Sequence, residues 1–230
     1  MEQHEIRVIA RIRSDFQEKF GIPRQSGLVE ALRATVVFEP EFRNEDALRG
    51  IEGFSHLWLI WQFSEAVRAE WSPTVRPPRL GGNTRLGVFA TRSPFRPNAI
   101  GLSCVRLEGV RQDPNLGPVL EVSGADLLDG TPIYDIKPYL PYADCWPEAV
   151  GGFASSAPAS GLAVIVPDEL MSLVPSQKRE ALLGVLAQDP RPSYHDDPQR
   201  VYGMRFGGME VRFTVEDSEL TVREIKKTDE

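Results

Sequence analysis

Cysteine and histidine are scarce in this chain of 230 residues: two cysteines, Cys104 and Cys145, and three histidines. Neither cysteine belongs to a CxxC pair and the histidines are scattered, so the spacing of a zinc site is missing. Isolated cysteines of this kind suit a reduced, cytoplasmic protein. Long apolar runs are missing too. The stretch from Leu57 to Trp61 falls far short of the roughly 20 residues that a membrane helix needs. The N-terminal residues show no basic stretch leading into an apolar core, so no signal peptide is expected. No GxGxxG and no GxxxxGK[ST] occurs, which argues against the usual dinucleotide site and the phosphate loop. No GxSxG and no HExxH occurs either. Positive charge is the minority sign: 26 Lys+Arg face 33 Asp+Glu, a formal net charge of −7. Binding nucleic acid non-specifically over the whole surface is therefore disfavoured, whereas a local anion site is not.

One region reverses that deficit. From Trp71 to Leu107 there is no Asp, no Glu and no Lys, but six arginines: Arg76, Arg79, Arg85, Arg92, Arg96 and Arg106. An ordinary solvated face mixes both signs and uses lysine. Guanidinium offers a planar fork of donors that fits phosphate and carboxylate and stacks on bases. Pro73, Pro77, Pro78, Pro94 and Pro97 stiffen the loops carrying it. A stiff loop loses less entropy on binding, which favours recognition over a plain connector.

Periodicity predicts many short strands and few helices. Strands are expected at 6–14, 34–40, 56–63, 86–91, 101–110 and 119–127, with the third buried on both faces because it is apolar throughout. A short helix is expected near 44–54, closed by Gly53. This pattern indicates a barrel or sandwich. The small, polar stretch 151–161 marks a boundary. It separates a first domain, 1–150, from a small α+β domain, 160–230. The second carries a helix broken at Pro175 and a hairpin from Met209 to Ile225.

Three further stretches carry polar groups. Pro23–Gly27 presents Arg24 and Gln25 in a loop. Leu127–Asp144 contains the turn signal Asp129–Gly130–Thr131; Asp129 suits a ribose hydroxyl and Gly130 allows close backbone approach. Asp135 and Lys137 stand two apart, so on a strand they share a face and form a surface ion pair. Gln188–His195 combines arginine, proline and an aromatic ring. His56 reads as a half-buried histidine and Cys104 as core.

Six motifs in one order, "PRQSGL", "FSHLWL", "PTVRPPRLGGN", "LGVFATRSPFRPNAIGLS", "LDGTPIYDIKPYLPYAD" and "LAQDPRPSY", resemble the TsaA-like (TrmO) family of S-adenosylmethionine-dependent tRNA methyltransferases. The resemblance runs over almost the whole chain. It implies a mainly β fold, an N-terminal β-barrel holding the cofactor with a small C-terminal α+β domain. It implies methylation of the N6 nitrogen of threonylcarbamoyl-adenosine beside the anticodon of threonine tRNA, by a homodimer with sites near the subunit interface. It assigns cofactor contacts to Arg24, Gln25, Ser26, Arg92, Leu102, Asp129, Gly130 and Thr131. Two more fall on Ser64 and Glu65, where the family commonly carries His-Gln, so this chain departs from the pattern there.

On that reading Arg76, Arg79 and Arg96, with Lys137 and Arg191, serve the substrate carboxylate or tRNA phosphates. Asp135 and Tyr194 are candidates for the base that takes a proton from N6. Phe95 or Tyr139 is a candidate face for the unstacked base. Two rivals stand beside it: a non-catalytic RNA-binding barrel, and a metal-dependent hydrolase built on Asp126, Asp129, Asp135 and Asp144.

Overall fold

The computed structural model describes residues 2–65, 70–155, 161–191 and 197–228. Its first part is a ring of six antiparallel strands. They are β1 (Ala10–Arg13), β2 (Arg33–Phe38), β3 (His56–Gln62), β6 (Ile100–Asp113), β7 (Gly117–Ser123) and β8 (Pro132–Pro138). The hydrogen-bonded order is β1-β2-β7-β6-β3-β8, and β8 pairs back to β1 to close a barrel. Closure removes the unpaired edges that would otherwise invite aggregation. Alternate residues Ala10, Ile12, Val36, Leu57, Leu59, Leu120 and Ile133 fill its core. Strand β3 is not buried on both faces: Leu57, Leu59 and Trp61 point in, and His56, Trp58, Ile60 and Gln62 are half-buried. The large side chains on the second face are covered only in part, so alternation survives an apolar sequence. Two further strands, β4 (Thr74–Val75) and β5 (Leu86–Gly87), form a small hairpin beside the barrel. The strand expected over 86–91 thus ends at Gly87, and a 3-10 turn, Val88–Ala90, follows. The helix expected near 44–54 is two 3-10 turns, Glu45–Leu48 and Ile51–Gly53, separated by Gly50 in the left-handed region.

The second part pairs β9 (Ala163–Ile165), β10 (Tyr202–Phe206), β11 (Met209–Glu216) and β12 (Glu219–Lys227) in the order β10-β11-β12-β9. Helix α1 (Pro141–Asp144) is a single turn after the barrel, and α2 (Asp168–Leu173) and α3 (Ser176–Ala187) belong to the second part. The predicted break at Pro175 falls between α2 and α3, as a ring without an N–H requires. Ala181, Leu182, Val185 and Leu186 of α3 are buried in the same core as the sheet's Met204, Val211, Phe213 and Val222.

The two parts share more than a boundary. Phe16, Val29 and Leu32, which lie between β1 and β2 in sequence, belong to the second core rather than the barrel's. Phe16 meets Phe206 edge-on at 5.5 Å, and Phe20 stacks on Phe213 at 6.4 Å. Gly21, at φ +95, lies so close to Met204 that a Cβ would stand 2.1 Å from its sulfur. The polar edge of this contact is the Lys178–Asp15 pair at 2.5 Å, with Gly207 N–H donating to the Asp15 carbonyl. The β1–β2 loop is therefore rooted in the C-terminal sheet while its tip returns to the barrel.

Candidate functional site

That tip forms one wall of a cavity of about 700 Å³, within the range of small-molecule sites. Pro23, Arg24 and Gln25 come from the β1–β2 loop, and Trp61 to Glu65 from the end of β3 and the residues after it. Thr91, Arg92, Pro94 and Arg96 come from the arginine-rich loop, and Ile100 to Leu102 from the start of β6. Asp126, Leu128 and Thr131 come from the turn between β7 and β8. Four stretches far apart in sequence meet at one end of the barrel.

Each wall is tied down. Gln25 accepts from Arg92 Nη1 at 2.5 Å, joining the first loop to the arginine loop. Ser26 Oγ accepts from Cys104 N–H at 3.1 Å, and Gly27 N–H donates to the Gly124 carbonyl at 2.9 Å. Arg96 donates to the Thr91 carbonyl at 3.1 Å, which braces the arginine loop from within. Lys19 Nζ donates to the Glu65 carbonyl at 2.8 Å. Gly101 is needed for shape: a Cβ there would lie 2.3 Å from the Trp61 indole.

The floor holds a relay of polar groups. Trp61 Nε1–H donates to Ser103 Oγ at 2.9 Å, and Ser103 donates to Asp126 Oδ1 at 2.6 Å. Burial pushes the Asp126 carboxyl above the ordinary carboxylate range, against the opposing pull of the Ser103 hydrogen bond and the Arg92 charge. A half-buried carboxyl among arginine, serine and indole is the kind of perturbed group that marks functional clefts.

Of the residues assigned by resemblance, Arg24, Gln25, Ser64, Glu65, Arg92, Leu102 and Thr131 line this cavity, as does Arg96. Ser26 stands behind the wall as a brace. Asp129 and Gly130 do not line it. Asp129 accepts from Ser14 N–H at 2.9 Å, and Gly130 N–H donates to Ile12, so both hold the turn against β1. Asp135 and Lys137 form the expected surface ion pair, at 2.8 Å, and neither lines the cavity. Arg191 is clamped by both carboxylate oxygens of Asp189, at 2.8 and 2.9 Å, away from the cavity. Arg76 and Arg79 are exposed in the segment that joins β4 to β5. Tyr194 lies outside the described residues.

Sequence reasoning passed over Trp61, Gln62, Phe63 and Ser103, and met Asp126 only as a metal ligand. Among the described residues no three His, Cys, Asp or Glu side chains gather as a metal site. Asp144 is instead engaged by Trp58 Nε1 and the Leu140 N–H, both at 2.9 Å.

A small barrel with a cation-lined cavity at one end, buttressed by an appended sheet, defines a ligand-binding protein that holds its ligand outside any Rossmann fold. Comparison with known proteins places it further. The family description "tRNA-methyltransferase O N-terminal domain" matches residues 11–145, and "TrmO C-terminal domain" matches residues 160–228. The chain belongs to this tRNA-methyltransferase O family. It is 43% identical over 226 residues to the Escherichia coli tRNA (adenine(37)-N6)-methyltransferase, covering 95% of this chain and 96% of that one. It is 45% identical over 218 residues, 91% of this chain and 92% of the other, to a Pseudomonas aeruginosa protein named provisionally as an S-adenosylmethionine-dependent methyltransferase. The crystal structure of the P. aeruginosa TrmO superposes with a TM-score of 0.81 at 38% identity, covering 99% of this chain and 98% of that one.

Proposed function

We propose that the cavity binds S-adenosylmethionine and that the chain methylates the N6 nitrogen of threonylcarbamoyl-adenosine beside the anticodon of threonine tRNA. The protein is a tRNA (adenine-N6)-methyltransferase that uses S-adenosylmethionine. The observation carrying the finer reading is the convergence of Arg24, Gln25, Arg92, Leu102 and Thr131 on one cavity of suitable size.

The residues present fit the cofactor's chemistry. Arg24 and Arg92 suit a carboxylate, Glu65 suits an ammonium, and Ile22, Phe63 and Leu102 offer apolar surface to a purine. When bound, the cofactor supplies a sulfonium-activated methyl group. The chain's own task is then to align nucleophile and methyl and to exclude water. Arg96, with Arg76 and Arg79 further out, offers guanidinium to the threonyl carboxylate or to tRNA phosphates. The N6 nitrogen must lose a proton as it takes the methyl. Asp126 is the carboxylate in the cavity wall whose affinity for a proton is raised, so it takes the role that Asp135, paired outside the cavity, is poorly placed for. Lys137 and Arg191, each held by a carboxylate, are left at most a weak part in tRNA binding.

A homodimer follows from the same reading: Ile100 and Leu102 expose apolar surface at the cavity rim, and Tyr142 and Trp146 expose more. A stable dimer would bury about 800 Å² per partner, which light scattering detects as a doubled mass. No helix among the described residues is long and apolar enough to cross a membrane, and we place the enzyme with its tRNA in the cytoplasm.

Mass spectrometry of nucleosides from tRNA incubated with the protein, with and without S-adenosylmethionine, tests the function. A methylated threonylcarbamoyl-adenosine that needs both additions supports it. Unchanged nucleosides in tRNA that carries threonylcarbamoyl-adenosine would overturn it.

A further inference from the structure

An aromatic pair stands in the open where the β4–β5 hairpin joins the arginine loop. Trp71 is 49% exposed and Phe89 72% exposed, yet their rings lie nearly parallel, 22° apart, with centroids at 6.2 Å. Folding on its own does not require this arrangement. Exposed aromatic area is costly in water, at about 25 cal/mol per Å², and an intrachain stack recovers only part of it.

The hairpin explains how the rings are held. Strands β4 and β5 pair Thr74 with Gly87 and Val75 with Leu86, so the residues flanking them, Trp71 and Phe89, meet at the open end. Val88 N–H donates to the Pro73 carbonyl at 3.0 Å, and Thr91 N–H to the Val88 carbonyl at 3.1 Å. Ser72 N–H donates to the Phe95 carbonyl at 3.1 Å, which ties the hairpin to the arginine loop. Two residues beyond Phe89 the chain enters the cavity wall at Thr91 and Arg92. The rings are therefore fixed to the loop that forms the cavity wall rather than carried on a loose arm.

Apart from Glu70, which precedes Trp71, the segment carrying the rings has charges of one sign. The whole stretch 71–107 lacks Asp and Glu and carries six arginines, while the chain as a whole is acidic. A planar apolar platform within a cationic surface complements a chain of phosphates that bears planar bases.

We propose that Trp71 and Phe89 form a stacking platform for an unpaired nucleobase of the RNA loop next to the base that enters the cavity. This rests on the tRNA-methyltransferase reading and adds to it a contact that selects single-stranded loop over duplex. A base in a duplex keeps both faces covered and cannot use the platform.

The test uses the full chain with Phe89→Ala, Trp71→Ala and, as a conservative variant, Phe89→Tyr. The primary readout is binding of a synthetic, fluorescently labelled anticodon stem-loop by anisotropy, and a paired RNA of equal length serves as control. Base-on-aromatic stacking is worth about 1–3 kcal/mol per base, which corresponds to a roughly 5- to 150-fold loss of affinity. Each alanine variant is expected to lose about tenfold for the stem-loop and little for the duplex. The loss should appear in KM for tRNA rather than in kcat, and Phe89→Tyr should restore it. Calorimetric binding of S-adenosylhomocysteine should stay as in the unmodified chain. Stem-loop affinity within twofold in both alanine variants overturns the platform. So does a fall in molar mass by light scattering with RNA affinity kept, which would assign the pair to a subunit contact. If the unmodified chain binds the stem-loop but transfers no methyl to tRNA, the enzymatic reading fails and the platform stands.

Discussion

The open end of the barrel and the core beneath the C-terminal sheet are built on opposite rules. At the barrel end, polar loops converge, Gln25, Arg24 and Arg92 are exposed, and the contacts are single hydrogen bonds. In the second core Phe206, Phe213, Leu182 and Leu186 are buried to within 1%, and close packing of that kind tolerates little change. The loop between β1 and β2 belongs to both. Its hydrophobic residues Phe16, Val29 and Leu32 sit in the second core, and its tip, Pro23 to Gln25, forms the cavity wall. The difference teaches that rigidity and chemistry are divided between the two parts, with one loop carrying the first to the second.

If that division holds, emptying the rigid part should disturb the site from a distance. Phe206→Ala is expected to cost about 3–5 kcal/mol of stability, measured by denaturant titration. Cofactor affinity, measured by calorimetry well below the melting temperature, should fall with it because the loop loses its root. Unchanged affinity would mean that the loop tip is set by the barrel alone. Arg92→Ala probes the opposite end: methyl transfer should drop at least a hundredfold, about 3 kcal/mol of transition-state stabilisation. The melting temperature should stay nearly unchanged, since an exposed side chain contributes little to stability.

Asp126→Asn tests the relay on the cavity floor. In the native protein methyl transfer should rise with pH as the Asp126 proton is lost, and that limb lies above the ordinary carboxylate range because burial raises the pKa. The asparagine variant should be slower by about 10²–10⁴-fold and lack the limb. The linkage to stability has the opposite sense. A carboxyl whose folded value is raised stabilises the fold most below the unfolded value, about 3.9, and that contribution is lost as pH rises through the folded value. Asn should therefore match or exceed Asp in stability at neutral pH. A flat pH profile in the native protein would remove Asp126 from proton transfer. The smallest effect is expected for Lys178→Ala, about 1 kcal/mol for a partly exposed ion pair, with a slight weakening of cofactor binding.

Much of this molecule was legible in its residues. Residue pattern identified five of the six barrel strands to within a few positions but missed β8, whose prolines and charges hide its alternation, and Pro175 announced the break between α2 and α3. The motif loops were legible as loops because proline and glycine punctuate them, and Arg24, Gln25, Arg92 and Leu102 do meet at one cavity. What stayed hidden has a common cause. Trp61 and Ser103 lie on paired strands 42 residues apart, and nothing local says that an indole N–H will reach that hydroxyl. Asp126 looked like one of several acids in a turn. Only the path of the turn between β7 and β8 along the cavity separates it from Asp129, which braces β1, and from Asp135, which pairs with Lys137 in solvent. Burial is a property of the packed molecule, and so is the raised pKa that burial causes.

Composition and pattern alone determined that this is a strand-rich protein with one arginine-only segment in an acidic chain. Those are local facts, set by side-chain shape, periodicity and charge. Tertiary structure alone decided which arginines face the cavity, which acid is buried there, and that residues 16–32 are rooted in the distant C-terminal core. Each of these depends on contacts between positions tens of residues or more apart. Such contacts form only when the chain closes its loops and buries enough apolar surface to offset the entropy of ordering them.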